Sequence, residues 1–440
     1  MTATAASGAR NGDVARNGDV GRGGRRLLAH VAPGGVAVAL AEHRLHLPAP
    51  PSPGRKPRVA LIDEIERSGL RGHGGAAFPT ATKLRAVAEH GRRPVVVVNG
   101  MESEPLSAKD RLLLMATPHL VLDGAVTAAA ATGASTVIVA VKRTARGSWA
   151  ALHRAIEERG GRDRVDVRVA ALPPRYVAGE ETAVIHALNG GPAKPTLVPP
   201  RPFERGVDGR PTLVQNVETL AHLAQIAARG ADWYREAGTP DEPGTTLLTV
   251  GDRVFEAPFG AELGSVLCSA GSSAGTEGPL AGVLVGGYFG TWLPPDSLDG
   301  TRLSQAALRP LGASLGCGAI APLPTTQCGL VEAARVVHWL ANENAGQCGP
   351  CVNGLPAIAG AFALVVAGHA DRATLQQLER WCGDVEGRGA CRHPDGTVRF
   401  LRSAVRVFEA DLRAHVDGRP CAGSHARPVL PVPPTGDEWR

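Results

Sequence analysis

The feature that most constrains this chain is a rhythm. Continuous β-branched runs, VVVV at 95–98, TVIVAV at 136–141 and VDVRVAAL at 165–172, alternate with stretches at 58–68, 118–131 and 147–158 whose apolar residues suit helices. A strand that is apolar on both sides must be covered on both faces, as strands of parallel sheets are. The alternation therefore predicts an α/β fold, a parallel sheet with helices on both faces.

Near residue 235 the texture changes to short strands, many glycines and one brief helix (TTLLTV, FGAELGSVLCSAG, GVLVGGYFGTWLP), which predicts a compact β-rich module. After Pro324, four segments carry apolar residues at i, i+3, i+4 and i+7, the pattern of a small helical bundle. The first two dozen residues repeat ARNGDV twice and have almost nothing apolar to bury, as a disordered tail would. The expected organisation is a tail over 1–24, an α/β domain over 25–235, the β-rich module over 236–324, the helical bundle over 325–420 and a Pro-rich tail over 421–440.

Composition excludes some functions. A net charge of +5 over 440 residues, with Lys and Arg dispersed among 42 acids and aromatics at 4%, speaks against nucleic acid as a partner. No secretory signal is convincing, and the longest greasy stretch, LPAIAGAFALVVAG, falls short of the ~20 residues that span a bilayer. A cytoplasmic chain with no direct membrane insertion is expected. Its eight cysteines, irregularly spaced, read as reduced thiols, some of them ligands, before a disulfide framework.

Four segments could carry chemistry. SGLRGHGGAAFPTATKL, 68–84, contains Gly72-x-Gly74-x-x-Ala77, formally a dinucleotide fingerprint, but the fingerprint needs a preceding strand and here a helix precedes it. An ordinary Rossmann site is therefore rejected. Three glycines in four positions still let backbone N–H groups approach a phosphate or flat ring, with Lys83 adding positive charge; the plain alternative is a surface loop. VVVVNGMESEP, 95–105, ends a strand in an acidic loop with Asn99, Glu102 and Glu104, at the strand end where parallel sheets bind ligands. YVAGEETAVIHAL, 176–188, opens a helix with Gly179, Glu180 and Glu181, acids that ordinarily only complement a helix dipole. QNVETL, 215–220, alone would be an unremarkable helix start.

Together, in order and spacing, and with KDR at 109–111 and PTLVPPRP, these segments resemble the FMN-bearing subunit that oxidises NADH in respiratory complex I, and its relatives in NAD-linked hydrogenases and formate dehydrogenases. The resemblance runs from about residue 58 to 415. It implies that the β-rich module is a ubiquitin-like β-grasp fold and that the bundle carries a [4Fe-4S] cluster. It also implies flavin contacts at Gly72, Gly74, Lys83, Asn99, Glu102, Tyr176, Gly179, Glu180 and Asn216, with Phe78, Glu104 and Glu181 facing the nicotinamide nucleotide. A flavin accepts the hydride and returns single electrons, so no side chain need act as a catalytic acid or base. Several positions depart from the family pattern: Met101 stands where an acid is usual, Ala86 in place of a second aromatic, and Val198 and Arg201 in place of a lysine and a phenylalanine.

The stretch ENAGQCGPCVNG, 343–354, departs as well. The family's cluster sits on Cys-x-x-Cys-x-x-Cys plus a distant cysteine, thiolates being the ligands that suit iron–sulfur centres. Here the run reads Ala345, Cys348, Cys351, and the distant ligand matches Cys391. By sequence the nearest candidates for a fourth ligand are Cys382 and His393; Cys328, a long helix away, is a weaker one, and Cys268, Cys317 and Cys421 read as ordinary residues. Zinc on three cysteines, with or without a histidine, is chemically acceptable too. The expectation is a flavin and iron–sulfur electron-transfer subunit oxidising NAD(P)H and serving a ferredoxin-like or other redox protein, with a membrane redox complex as a further option. Its rivals are a non-catalytic structural or assembly component that kept the fold and a zinc-stabilised FMN module.

Overall fold

The computed structural model describes residues 25–31, 35–51, 58–90, 93–271, 278–419, 421, 423–436 and 438–440. The tail expected over 1–24 lies outside them. Helix α1 (Leu40–His46) precedes α2 (Arg58–Ser68), α3 (Thr80–Glu89) and the first strand, β1 (Val95–Gly100). Helices α4 (Lys109–Ala116) and α5 (Pro118–Thr132) lead to β2 (Thr136–Lys142), α6 (Arg146–Arg159) and β3 (Asp166–Leu172). A short 3-10 turn (Val177–Gly179), α7 (Glu181–Leu188), β4 (Thr212–Asn216), α8 (Val217–Arg229) and α9 (Ala231–Arg235) complete this part.

The four strands form one parallel sheet in the order β3-β2-β1-β4. Val95 to Val98 of β1, at its middle, are inaccessible to solvent, which is what their uninterrupted apolar run requires. Every residue of α5 is buried, as befits a helix apolar all round. Its Gly124 allows α8 to approach backbone to backbone, since a Cβ there would sit 1.8 Å from the Leu220 carbonyl oxygen.

The second sheet is mixed. Strands β5 (Thr245–Val250), β6 (Arg253–Pro258), β7 (Leu280–Val285), β8 (Thr291–Leu293) and β9 (Ala319–Pro324) lie in the order β6-β5-β9-β7-β8, with β5 and β9 parallel and the other pairs antiparallel. One face is covered by α10 (Leu263–Ala270) and by Leu308 of the short helix α11 (Gln305–Leu308). The buried Glu256 carboxylate on β6 accepts the backbone N–H groups of Arg26, Leu27 and Leu28, tying the start of the described chain to this sheet.

Five helices follow: α12 (Gly329–Asn342), α13 (Leu355–Val366), α14 (Arg372–Val385), α15 (His393–Val407) and α16 (Glu409–Val416). Their apolar faces form one core with Tyr176 and Val177 of the α/β part and with Leu284, Tyr288 and Trp292 of the second sheet. The C-terminal segment lies against this body: Val429 and Leu430 donate backbone N–H groups to Glu332, and Trp439 lies beneath the guanidinium of Arg175. Among the described residues no single helix is long and apolar enough to cross a membrane; α4 and α5 together pass by length and composition but are bent by 98°.

Candidate functional site

The carboxyl ends of β1 and β4 lie side by side, and the loops that leave them form one wall of a crevice. The opposite wall is the glycine loop between α2 and α3. Backbone bonds from Gly72 to Phe78 and from Thr80 to Leu70 close that loop on itself, and His73 N–H donates to Thr219 on α8. Ala77 in the loop and Glu102 after β1 adopt left-handed backbone, with φ of 48° and 36°, conformations that cost about 1 kcal/mol or more and gather at ligand sites.

Gly72, Gly74, Phe78, Lys83, Asn99, Glu102, Gly179, Glu180, Glu181 and Asn216 all keep some solvent access, beside the buried strands β1 and β4. A Cβ on Gly74 would meet the Asn216 side chain at 3.4 Å, so the glycine loop and the start of α8 lie within van der Waals reach of one another. The acids and amides here are held in advance. Glu102 accepts from the Asp110 and Arg111 N–H groups and from Ser107 Oγ; Glu180 caps α7 through the N–H groups of Thr182 and Ala183; Asn216 caps α8 through Glu218 N–H. Asn99 Nδ2 donates to the Gly179 carbonyl at 2.8 Å, joining the acidic loop to the 3-10 turn. Lys83 Nζ lies 2.8 Å from Glu181, poised between that acid and the crevice.

Two expected contacts are turned inward. Tyr176 is buried and donates its hydroxyl to Glu104 Oε2 at 2.9 Å; the same oxygen accepts Tyr288 N–H at 2.9 Å. Burial raises the Glu104 carboxyl to about 7, although these hydrogen bonds oppose the shift. Glu104 therefore stitches the acidic loop to the second sheet. A cavity of about 40 Å³ between the glycine loop and that sheet, lined by His73, Phe259 and Gly316 among others, has room for water and none for a flavin ring.

The crevice floor holds charges that sequence reasoning left without a role. Lys109 Nζ is buried 2.7 Å from Glu218 and 3.1 Å from Asp110, and it donates to the His73 carbonyl in the glycine loop. Burial works against its charge, but the two carboxylates outweigh it and hold the ammonium above its usual value. Burial pushes Asp110 up to about 6, with Lys109 opposing. The signal was present in KDR and NVETL, but their burial could not be read from residue type. Met101, by contrast, is fully packed among Val95, Val97 and Val214, so an apolar residue there suits its surroundings.

Two of the cysteines expected to hold a cluster, Cys348 and Cys351, lie together. Cys348 and Cys351 place their sulfurs 3.6 Å apart, Cys351 within a π-helical turn (Pro350–Gly354) that opens into α13; such turns often mark functional sites. Burial pushes the Cys391 thiol up to about 11; the His393 N–H opposes this, and Cys351, Glu180 and Cys348 add to it. Cys391 is thus within electrostatic reach of both partner cysteines and of Glu180 in the crevice. The paired sulfurs of Cys348 and Cys351 are soft ligands of the kind that suit a thiolate-bound iron–sulfur centre. Ala345 is buried beside them in the apolar core and offers no ligand. Cys382 is buried on α14, where Glu379, Arg402 and Glu386 are the charges it feels. His393 Nε2 lies 2.8 Å from the Leu340 carbonyl, its Nδ1 has no partner, and its ring sits between Tyr176 and Phe289.

Comparison with known proteins agrees with this geometry. Residues 65–225 match the model of the Nuo51 FMN-binding domain, and 332–415 match that of the NADH-ubiquinone oxidoreductase-F iron-sulfur binding region. An F subunit of NADH-quinone oxidoreductase in Rhizobium meliloti (strain 1021) is 30% identical over 378 residues, 82% of this chain and 90% of that protein. The chain belongs to the family of NADH-quinone oxidoreductase F subunits. The corresponding protein of Streptomyces coelicolor (strain ATCC BAA-471 / A3(2) / M145) is 31% identical over 378 residues, 82% of this chain and 84% of that one. A solved chain of the NAD+-reducing [NiFe]-hydrogenase in the air-oxidised state superposes with a TM-score of 0.75 at 31% identity, covering 84% of this chain but 66% of that one, just under two thirds of its length. Membership brings the role of an oxidoreductase that transfers electrons with FMN and a [4Fe-4S] cluster.

Proposed function

We propose that this chain oxidises NADH through FMN held in the crevice and passes single electrons through a cluster on Cys348, Cys351 and Cys391 to a redox protein of a larger complex. The observation that carries this reading is the proximity of its two halves. Tyr176 bonds to Glu104 of the acidic loop and packs edge-on against Trp339 of α12 and against His393, which opens α15 two residues after Cys391. FMN supplies hydride acceptance and one-electron return, chemistry no side chain has. In this reading the N–H groups of the glycine loop, with Gly72 and Gly74, approach the phosphate, and Lys83 offsets its charge. Asn99, Glu102, Gly179, Glu180 and Asn216 orient the ring system, while Tyr176 and Glu104 fix the wall behind it. Phe78, 47% exposed, and Glu181 are the groups left open to a nicotinamide nucleotide.

The domain assignment belongs to the same proposal: FMN binding over 25–235, a β-grasp module over 236–324 and an iron–sulfur bundle over 325–420. The β-grasp reading is supported by the strand order with parallel β5 and β9 at its centre, and the bundle reading by the shared core of α12 to α16. In this reading a redox partner takes the electrons onward from the cluster.

Anaerobic purification tests this directly. FMN, iron and acid-labile sulfide should copurify, and NADH should bleach the flavin absorbance in the absence of oxygen. A preparation that refuses added FMN, or a bound flavin unmoved by NADH, would overturn the corresponding half.

A further inference from the structure

A second group of soft ligands lies on the far side of the C-terminal helices. Cys328 caps the N-terminus of α12, where its sulfur accepts the Val331 N–H, and it is 1% exposed. His415, in the last turn of α16 and 4% exposed, places Nε2 3.3 Å from Cys328 Sγ. Cys421, just beyond α16, completes the set: the two sulfurs and the imidazole nitrogen all lie within 4.8 Å of one another. Asp411, four residues before His415 and so on the same face of α16, accepts the Gly329 N–H beside Cys328. The chain is drawn in tightly here, since a Cβ on Gly423 would meet the Cys328 backbone nitrogen at 2.3 Å.

We propose that Cys328, His415 and Cys421 bind a zinc ion, with Asp411 or water as the fourth ligand. Zinc bonds of about 2.3 Å to sulfur and 2.0 to 2.1 Å to nitrogen, at tetrahedral angles, put sulfur and nitrogen roughly 3.6 Å apart and two sulfurs roughly 3.8 Å apart. The sulfur to nitrogen distance already lies near that value. Two thiolates and an imidazole form a borderline-soft set that suits zinc better than calcium or magnesium. Binding replaces the two thiol protons, which leave to solvent, so no oxidant or reductant is consumed. The ion fastens the N-terminus of α12 to the end of α16 and the start of the C-terminal segment. This site is separate in place and ligands from the three cysteines assigned to iron.

Metal analysis of the anaerobically purified full chain decides it. About one zinc per chain is expected beside the iron, and C421S should lower zinc at least about fivefold while iron and FMN stay at wild-type levels. Zinc that stays substoichiometric after incubation with zinc salt and desalting would overturn the proposal, as would zinc retained in C421S or a Cys328–Cys421 disulfide in a non-reducing peptide map. Should C421S fail to fold, zinc-edge X-ray absorption of the wild type serves instead. Two sulfurs at about 2.3 Å with nitrogen or oxygen at about 2.0 Å support the site, and three or more sulfurs place the zinc among Cys348, Cys351 and Cys391 and overturn it. Iron and FMN contents report separately on the electron-transfer reading.

Discussion

At the carboxyl ends of the first sheet, Lys109, Asp110 and Glu218 are buried charges that stand only because each answers another, whereas the pocket at the start of α13 is walled by sulfur, aromatic rings and Ala345. The first region can be disturbed by removing one charge, because its partners are then stranded in a medium that solvates them poorly. The second depends on ligand count. Injury to one should therefore leave the cofactor of the other in place, and a variant that empties both would break the comparison.

The largest effect is expected from Cys351→Ala. Losing one of three thiolates should reduce bound iron about tenfold or more while FMN stays, as iron assay and flavin fluorescence of the same sample would record. Next comes Lys109→Met, which leaves Glu218 and Asp110 without their cation. A loss of about 3 to 5 kcal/mol in denaturant unfolding is expected, with weaker FMN retention. Glu104 sharpens the contrast through pH. Its folded value of about 7 lies above the ordinary 4.5, so the folded state holds the proton longer than the unfolded chain does. Its contribution is fully present below about 4.5 and is lost as pH rises towards 7, an effect of about 3 kcal/mol by linkage. Glu104→Gln keeps an acceptor for Tyr176 and Tyr288 and should flatten stability across that window. The smallest effect is expected from Ala345→Cys, which restores a thiol beside the other three. The cluster's half-life against an iron chelator should lengthen about threefold, roughly 0.7 kcal/mol of barrier; an unchanged half-life would mean that Ala345 stands outside the ligand sphere.

The sequence made β1, β2 and β3 legible because each is a run of β-branched residues, and α5 because its apolar pattern is long. Strand β4 was not, since TLVQN is five residues and half polar; it becomes a strand by pairing with β1. Motif spacing named the crevice residues, and among them Asn99 bonds to Gly179 and Lys83 pairs with Glu181, while Tyr176 and Glu104 turn inward. What residue type could not convey was direction. Glu104 carries the same charge as Glu102, yet one is folded inward against Tyr176 and the other caps α4 at the crevice edge. The approach of Cys421 to Cys328 was invisible for the same reason, because only the packing of α16 against α12 brings those thiols together.

Tyr176 touches Glu104, Phe289, Trp339 and His393 at once. Interiors packed to this density pass displacement on instead of absorbing it. Prying the crevice wall outward would drag His393 and the start of α15, just after Cys391, with it, so the spacing between the two halves behaves as one mechanical dimension, set by a single phenol.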